Sequence, residues 1–196
     1  QVAMWFGFAL AGYSAIANDS IQTLGTFLAS NSKRTWVWQW LFMGGIFVAT
    51  TTYSWFTYGG DVSYERLTSK GFEVAPTEFS FLQLAAPIFF LILTRLKMPV
   101  STTFLLLSCF ATSGKGIIAM TSKSLGGYCI AFVFSIVAWY VLEPMMTRAW
   151  KGQAGKWWRP AQWIATGLLW SVWLMQDMAN IAVFLPRGGN AGPGLS

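Results

Sequence analysis

The residues best suited to chemistry lie in GYSAIANDSIQTLGT, from Gly12 to Thr26. An apolar run, Val2 to Ala11, precedes this stretch, and another leads from it into Ser30–Ser32. Asn18, Asp19, Gln22 and Thr23 therefore fall near the middle of a segment suited to lipid. An Asp at the centre of a membrane helix costs roughly 2.5–3.5 kcal/mol, and such residues usually line a protein interior or an ion or substrate path. Ser14, Asn18, Gln22 and Thr26 recur every four residues, which puts them on one stripe of a helix with Asp19 and Thr23 beside it. The competing reading is a helix end at a bilayer surface, capped by Asn and Asp. Two further polar clusters follow, Pro99-Val100-Ser101-Thr102-Thr103 and Gln176-Asp177-Met178-Ala179-Asn180. Pro suits a helix first turn, and the hydroxyls after it either cap that helix or, with its free N–H groups, offer an anion a positive helix end.

Composition says what must hold these residues. Of 196 residues, 55% are hydrophobic and only 10% charged, with mean hydropathy +0.49. Soluble domains carry about 25% charged residues, so a membrane protein is expected. The 12 Trp suit interfacial belts. Net charge is +6, but the bases sit in short loops between apolar runs, a pattern of topology and anionic lipid and not of nucleic-acid binding. There is no His, which removes the commonest metal ligand and neutral-pH proton shuttle. Cys109 and Cys129 fall in apolar runs and read as buried free thiols. Gln1 at the start and the Gly/Pro-rich end, Gly188 to Ser196, suggest part of a larger protein.

At about 20 residues per span, the chain predicts an all-α polytopic membrane protein of about six segments. These are Val2 to about Leu28, Trp36–Tyr58, Phe79–Thr94, Pro99 to about Met120, Gly126–Met146 and Ala161–Leu185. A polar loop, Gly59–Glu78, holds Asp61, Glu65, Arg66, Lys70 and Glu73. If all six cross, Lys33, Arg34, Arg95, Lys97, Arg148, Lys151, Lys156 and Arg159 share one side without a carboxylate. That side is then cytoplasmic and the N-terminus outside. Ser113, Gly114, Lys115 and Gly116 would suit a re-entrant turn, but a re-entrant fourth segment would put Arg148–Arg159 outside, so six crossings are expected. Lys115 reads as snorkelling to the interface. Glu143, before Pro144, reads as an interfacial carboxylate, with a gate or proton-responsive group as the alternative. Met43-Gly44-Gly45 and Gly126-Gly127 read as sites of close helix packing.

Asn18-Asp19-Ser20-Ile21-Gln22 can be laid on Gln176-Asp177-Met178-Ala179-Asn180: amide, Asp, two small or apolar residues, amide. An odd number of crossings between them would invert one copy, as inverted-repeat transporters with midplane sites require. Here the chain resembles the inorganic phosphate transporter (PiT) family, whose halves each carry N-D-x-A-N and P-V-S-T-T-H. Asn18 to Gln22, Pro99 to Thr103 and Asp177 to Asn180 carry the likeness, with Glu143-Pro144 where the family closes its fifth segment. Gln22 and Gln176 replace family Asn residues, Phe104 replaces the His, and Val183-Phe184 stands where Gly-Pro is usual.

The resemblance implies a half-transporter with broken helices: residues 1–150 a first repeat of five segments, 151–160 a basic cytoplasmic linker, and 161–196 the first helix of an inverted second repeat. It implies secondary transport of phosphate with Na⁺, or with H⁺ in some members, while some relatives carry sulfate. Asp19 and Asp177 would hold Na⁺ with Gln22 and Gln176 as neutral oxygens, a ligand set that suits a hard cation. Ser101, Thr102, Thr103, Asn18 and Asn180 would take the phosphate, with Asn18 and Asn180 also available as oxygen ligands to the cation. No organic cofactor and no enzyme activity are expected. The setting is a multi-pass cell-membrane protein among lipid, a homodimer being one assembly allowed. The alternatives are a non-transporting membrane subunit or passive channel whose polar stripe only glues helices together, or a sulfate carrier.

Overall fold

The computed structural model describes residues 2–69, 72, 78–98, 100–110, 114–149 and 155–185, apart from the side chains of 115 and 116. Pro99, Ser113, Lys70, Glu73, Lys151, the Lys115 side chain and the 188–196 tail lie outside the described residues. All described secondary structure is helical: α1 (Val2–Ser30), α2 (Trp36–Thr57), a short α3 (Arg66–Ser69), α4 (Phe81–Arg95), α5 (Gly114–Val137), α6 (Glu143–Ala149) and α7 (Trp158–Ala182). A π-helical turn, Thr103–Leu107, and a 3₁₀ turn, Ser108–Phe110, lie between α4 and α5.

The first helix is unbroken through Asn18, so the break expected there is absent. Its partners are set by small residues and matching rings. Gly7 faces Phe184, Gly12 faces Ile181, and the Phe27 ring meets Trp163 at 5.0 Å, so α7 runs antiparallel to α1. The α2 helix runs back beside them and parallel to α7: Phe42 packs on Trp163 and Gly167, and the Trp170 indole donates to the Met43 carbonyl at 3.3 Å. At the turn between α1 and α2, Asn31 is buried in a polar knot. It accepts from Trp163 Nε1 (3.3 Å) and donates to the Phe27 carbonyl (2.9 Å), while Gln162 donates to Ser30 Oγ (2.7 Å). Its backbone carbonyl accepts from Gln39 Nε2 on α2 at 2.7 Å, so Asn31 fastens three helices.

A Ser80–Gln83 capping box starts α4, each side chain satisfying a helix-end N–H of the other's residue. The helix runs parallel to α1, from Phe79 near Phe184 to Thr94 beside Asn18. It then stops in a Schellman turn. Lys97 takes φ +58°, its N–H reaches Thr94, and the Met98 N–H reaches Leu93. Residues 100–110 travel back to Phe110, whose ring meets Phe184 at 5.0 Å. The third and fourth apolar segments are therefore one hairpin that enters and returns at the same end of the bundle. This corrects the expected fourth segment, Pro99 to Met120: its first part is the returning arm and its last part belongs to α5.

A continuous helical run, Ile117–Ala149, is long and apolar enough to cross a membrane and has none of that stretch buried within the molecule. It contains a π turn, Ala138–Leu142, just before Pro144. Pro lacks an N–H and clashes with the carbonyl four residues back, which accounts for the local widening. Cys129 lies exposed on this run and Cys109 is half-buried, so neither is the buried thiol expected. Glu143 is exposed there and accepts from the Thr147 hydroxyl at 3.1 Å.

The close-packing glycines are not those expected. Gly44, Gly45, Gly126 and Gly127 have open space where a Cβ would go, whereas a Cβ on Gly7 would lie 2.5 Å from Phe184 ring carbons. Gly7→Ala should lower stability by about 1–3 kcal/mol through overpacking. Gly44→Ala, at an open helical position, should raise it by about 0.5–1 kcal/mol. Thermal unfolding in detergent compares the two directly.

Candidate functional site

The antiparallel register of α1 and α7 brings Asp19 and Asp177 together, with the two side chains within hydrogen-bonding reach. Asp19 is buried and accepts from the Thr102 hydroxyl at 3.0 Å. Asp177 is half-buried and accepts from Asn180 Nδ2 through Oδ1. Asn180 is wholly buried, and its Oδ1 has no hydrogen-bond partner among the described residues; nor has the Oγ of Ser14, also wholly buried. With Asp19 opposite Asp177 and Gly12 opposite Ile181, the register puts Ser14 level with Asn180. The result is a cluster of oxygen donors from three elements, two of them carboxylates.

Asn18 does something else. Its amide donates to the Met98 carbonyl (3.0 Å) and to Thr94 Oγ1 (3.3 Å). Its carbonyl oxygen accepts from Gln22 Nε2 (2.7 Å) and from the Val100 N–H (3.4 Å). It pins the hairpin tip, where the Met98 carbonyl and the Val100 N–H lie beyond the end of α4. Thr94, whose hydroxyl also donates to Phe90 O at 2.9 Å, is a site residue that sequence reasoning missed. Its only signal was its place as the last apolar-segment residue before the basic pair.

The expected anion run divides. Thr102 is buried on Asp19, Ser101 Oγ accepts from the Phe104 N–H at 3.3 Å as a cap, and Thr103 is half-buried in the first position of the π turn. Gln22 and Gln176 are exposed and stand outside the carboxylate cluster. Asn180, expected on the phosphate, belongs with the carboxylates.

Burial differs between the faces of the helices that carry the two Asp residues. Towards the Phe184 end, Ser14, Ala15, Asn180 and Val183 have no exposure, and Phe79, Phe110 and Phe184 close that end with ring contacts of 5.0–6.4 Å. Towards the Asn31 end, Gln22, Thr26 and Gln176 are exposed while Leu24, Phe27, Trp170 and Leu174 stay buried. Rings close the site at the Phe184 end, and on its other side one polar face stays open.

Comparison with protein-family models, with characterised proteins and with solved structures returns no match. The geometry is therefore read on its own chemistry. Asn18→Ala removes the bonds that hold Met98 and Val100, each worth about 0.5–1.5 kcal/mol. Amide exchange at Val100 and Met98 should accelerate about tenfold or more, since 1.4 kcal/mol is a factor of ten. Gln22→Ala, which leaves those bonds in place, should change it by less than about threefold on the same scale.

Proposed function

We propose that this chain belongs to a secondary transporter that carries inorganic phosphate with Na⁺ across a cell membrane. One observation carries the reading: two acidic residues from opposite ends of the sequence meet on antiparallel helices, among oxygen donors with no partner of their own. Two neighbouring carboxylates repel in a medium of low dielectric unless something positive lies between them. Helix glue does not require that cost, and Asn18 already supplies the glue. A cation held by Asp19, Asp177, Thr102 Oγ1 and Asn180 Oδ1 relieves the repulsion with all-oxygen ligands, the set a hard ion such as Na⁺ takes. H⁺ is the alternative coupling ion. Gln22 and Gln176, exposed on the open side, would meet the ion on its way.

Thr102 links the two solutes. It stands between Ser101 and Thr103, the residues left to receive the oxyanion, and its own hydroxyl is bound to Asp19. Filling the cation site removes the net charge that would otherwise repel phosphate from the neighbouring hydroxyls. Coupling follows from that electrostatic dependence. Sulfate, with the same shape and lower charge at neutral pH, is the competing substrate.

In a bilayer the reading places α1, α2, the run through α5 and α6, and α7 across the membrane, with the α4 hairpin entering from the side of the α2–α3 loop. Lys33, Arg34, Arg148, Lys156 and Arg159 then share the cytoplasmic side and the N-terminus lies outside, as the charge bias asks. The hairpin accounts for only one excursion, so re-entry here does not invert the basic loops.

Asp19→Asn and Asp177→Asn in the full protein should each cut Na⁺-dependent phosphate uptake by roughly tenfold to a hundredfold, the loss of one charged contact worth about 1.5–3 kcal/mol. Uptake of labelled phosphate into proteoliposomes, competed with sulfate and arsenate, measures both the loss and the substrate. Unchanged Na⁺-dependent uptake in both variants would remove the carboxylates from the cation site.

A further inference from the structure

Arg95 and Lys97 were expected in a surface loop with the other bases of their side. The hairpin places them elsewhere. Lys97 adjoins Met98, whose carbonyl is bonded to Asn18 at 3.0 Å, so the tip lies at the level of the Asp19 site. From Asn18 to the end of α1 at Ser30 the helix continues for about 18 Å at 1.5 Å per residue. Lys33 and Arg34 lie past that end; Arg95 and Lys97 stop that far short of them. Both are exposed, and neither has an ion-pair partner among the described residues. Both lie at the hairpin tip, level with Asn18, whose carbonyl also takes the amide of exposed Gln22.

Three physical points bear on what they do. A base facing lipid at this depth costs roughly 2.5–3.5 kcal/mol, and the distance to the interface exceeds what an Arg or Lys stem spans by snorkelling. The open half of the site is therefore wet. Second, Lys97 holds φ +58°, where a side chain costs about 1–2 kcal/mol and Gly is the usual occupant. A helix stop alone would be better served by Gly. Third, positive charges at the mouth of a cleft with low-dielectric walls raise the local concentration of anions by about tenfold or more.

We propose that Arg95 and Lys97 form a cationic mouth on the basic-loop side of the Asp19–Asp177 site, where they concentrate a doubly charged oxyanion and set its affinity from that side. The proposal rests on the transport reading for the identity of the anion. The field at the mouth does not depend on it, and the experiment separates the two. In the full protein, Cys109 and Cys129 are replaced by Ser and Gln22 by Cys, and the chain is placed in vesicles of zwitterionic lipid. The new thiol is then labelled from the basic-loop side with two thiosulfonates of similar size, one bearing a sulfonate and one a trimethylammonium group. The sulfonate should react faster by about tenfold. That preference should vanish in R95Q/K97Q, survive in R95K/K97R, and disappear in roughly molar salt, where screening acts within about 3 Å.

In the protein that keeps Gln22, R95Q/K97Q should raise the phosphate KM roughly tenfold from the basic-loop side and leave it unchanged from the other. A reagent preference that is equal in parent and R95Q/K97Q overturns the proposal, as does a KM that does not move where transport is measurable. Absence of phosphate flux in the parent, with the reagent preference still lost in R95Q/K97Q, overturns the substrate reading and leaves the mouth standing.

Discussion

The depth of the hairpin depends on the side chain of Asn18. A chain that turns back inside an apolar bundle leaves carbonyl and N–H groups at its tip that neither arm can pair, and each would cost a few kcal/mol in hydrocarbon. Asn18 offers a donor pair and an acceptor on one planar group, and it satisfies Met98 O and Val100 N together. Once the tip is fixed there, Thr102 falls on Asp19, Phe110 falls on Phe184, and Arg95 and Lys97 stop level with the site. Moving the tip by one turn would break all of these at once. An amide at this position is structural in effect even though it sits in the motif that points to function.

The carboxylates carry the opposite logic. Asn18 is satisfied within the protein, whereas the cluster around Asp19 and Asp177 keeps acceptor oxygens in surplus, with Asn180 Oδ1 and Ser14 Oγ buried and without a partner among the described residues. A buried surplus of acceptors is costly in a folded chain and is relieved by a bound cation. Adjacent residues of one helix thus divide the labour: the first holds the scaffold, the second joins the carboxylate cluster.

Much of this was legible in the residues. The stripe of polar groups on α1, the paired Asp motifs and their opposite directions all follow from spacing, because helical periodicity and loop charge are local signals. Asn18, Asp19, Thr102, Asp177 and Asn180 do gather at one level. What could not be read was which apolar segments run alone. Phe79–Thr94 and Pro99–Met120 each have the length and hydropathy of a span, and only the contact of Phe110 with Phe184 and of Thr94 with Asn18 shows them to be the arms of a hairpin. Arg95 and Lys97 likewise prove to lie at the tip of that hairpin, which charge counting along the chain does not reveal. The same limit also misjudged the glycines: a Gly-Gly pair looks like a packing notch, but Gly7 is the one whose missing Cβ makes room for a ring.

The long run through α5 and α6 has a mechanical side. From Ile117 to Ala149 it measures about 50 Å at 1.5 Å per residue, against a hydrocarbon core of about 30 Å. A rod that long must tilt, or thicken the lipid beside it, and the cost runs to fractions of a kcal/mol per Å of mismatch. Little of the rod packs on the rest of the described residues, so in the proposed placement the bilayer sets its angle. Its first turns, however, touch the returning hairpin arm that ends in Phe110. On the proposed placement across a bilayer, acyl-chain length becomes a lever on the ring cluster at Phe184: a thinner membrane leans the rod further over and pulls on the arm that ends in Phe110.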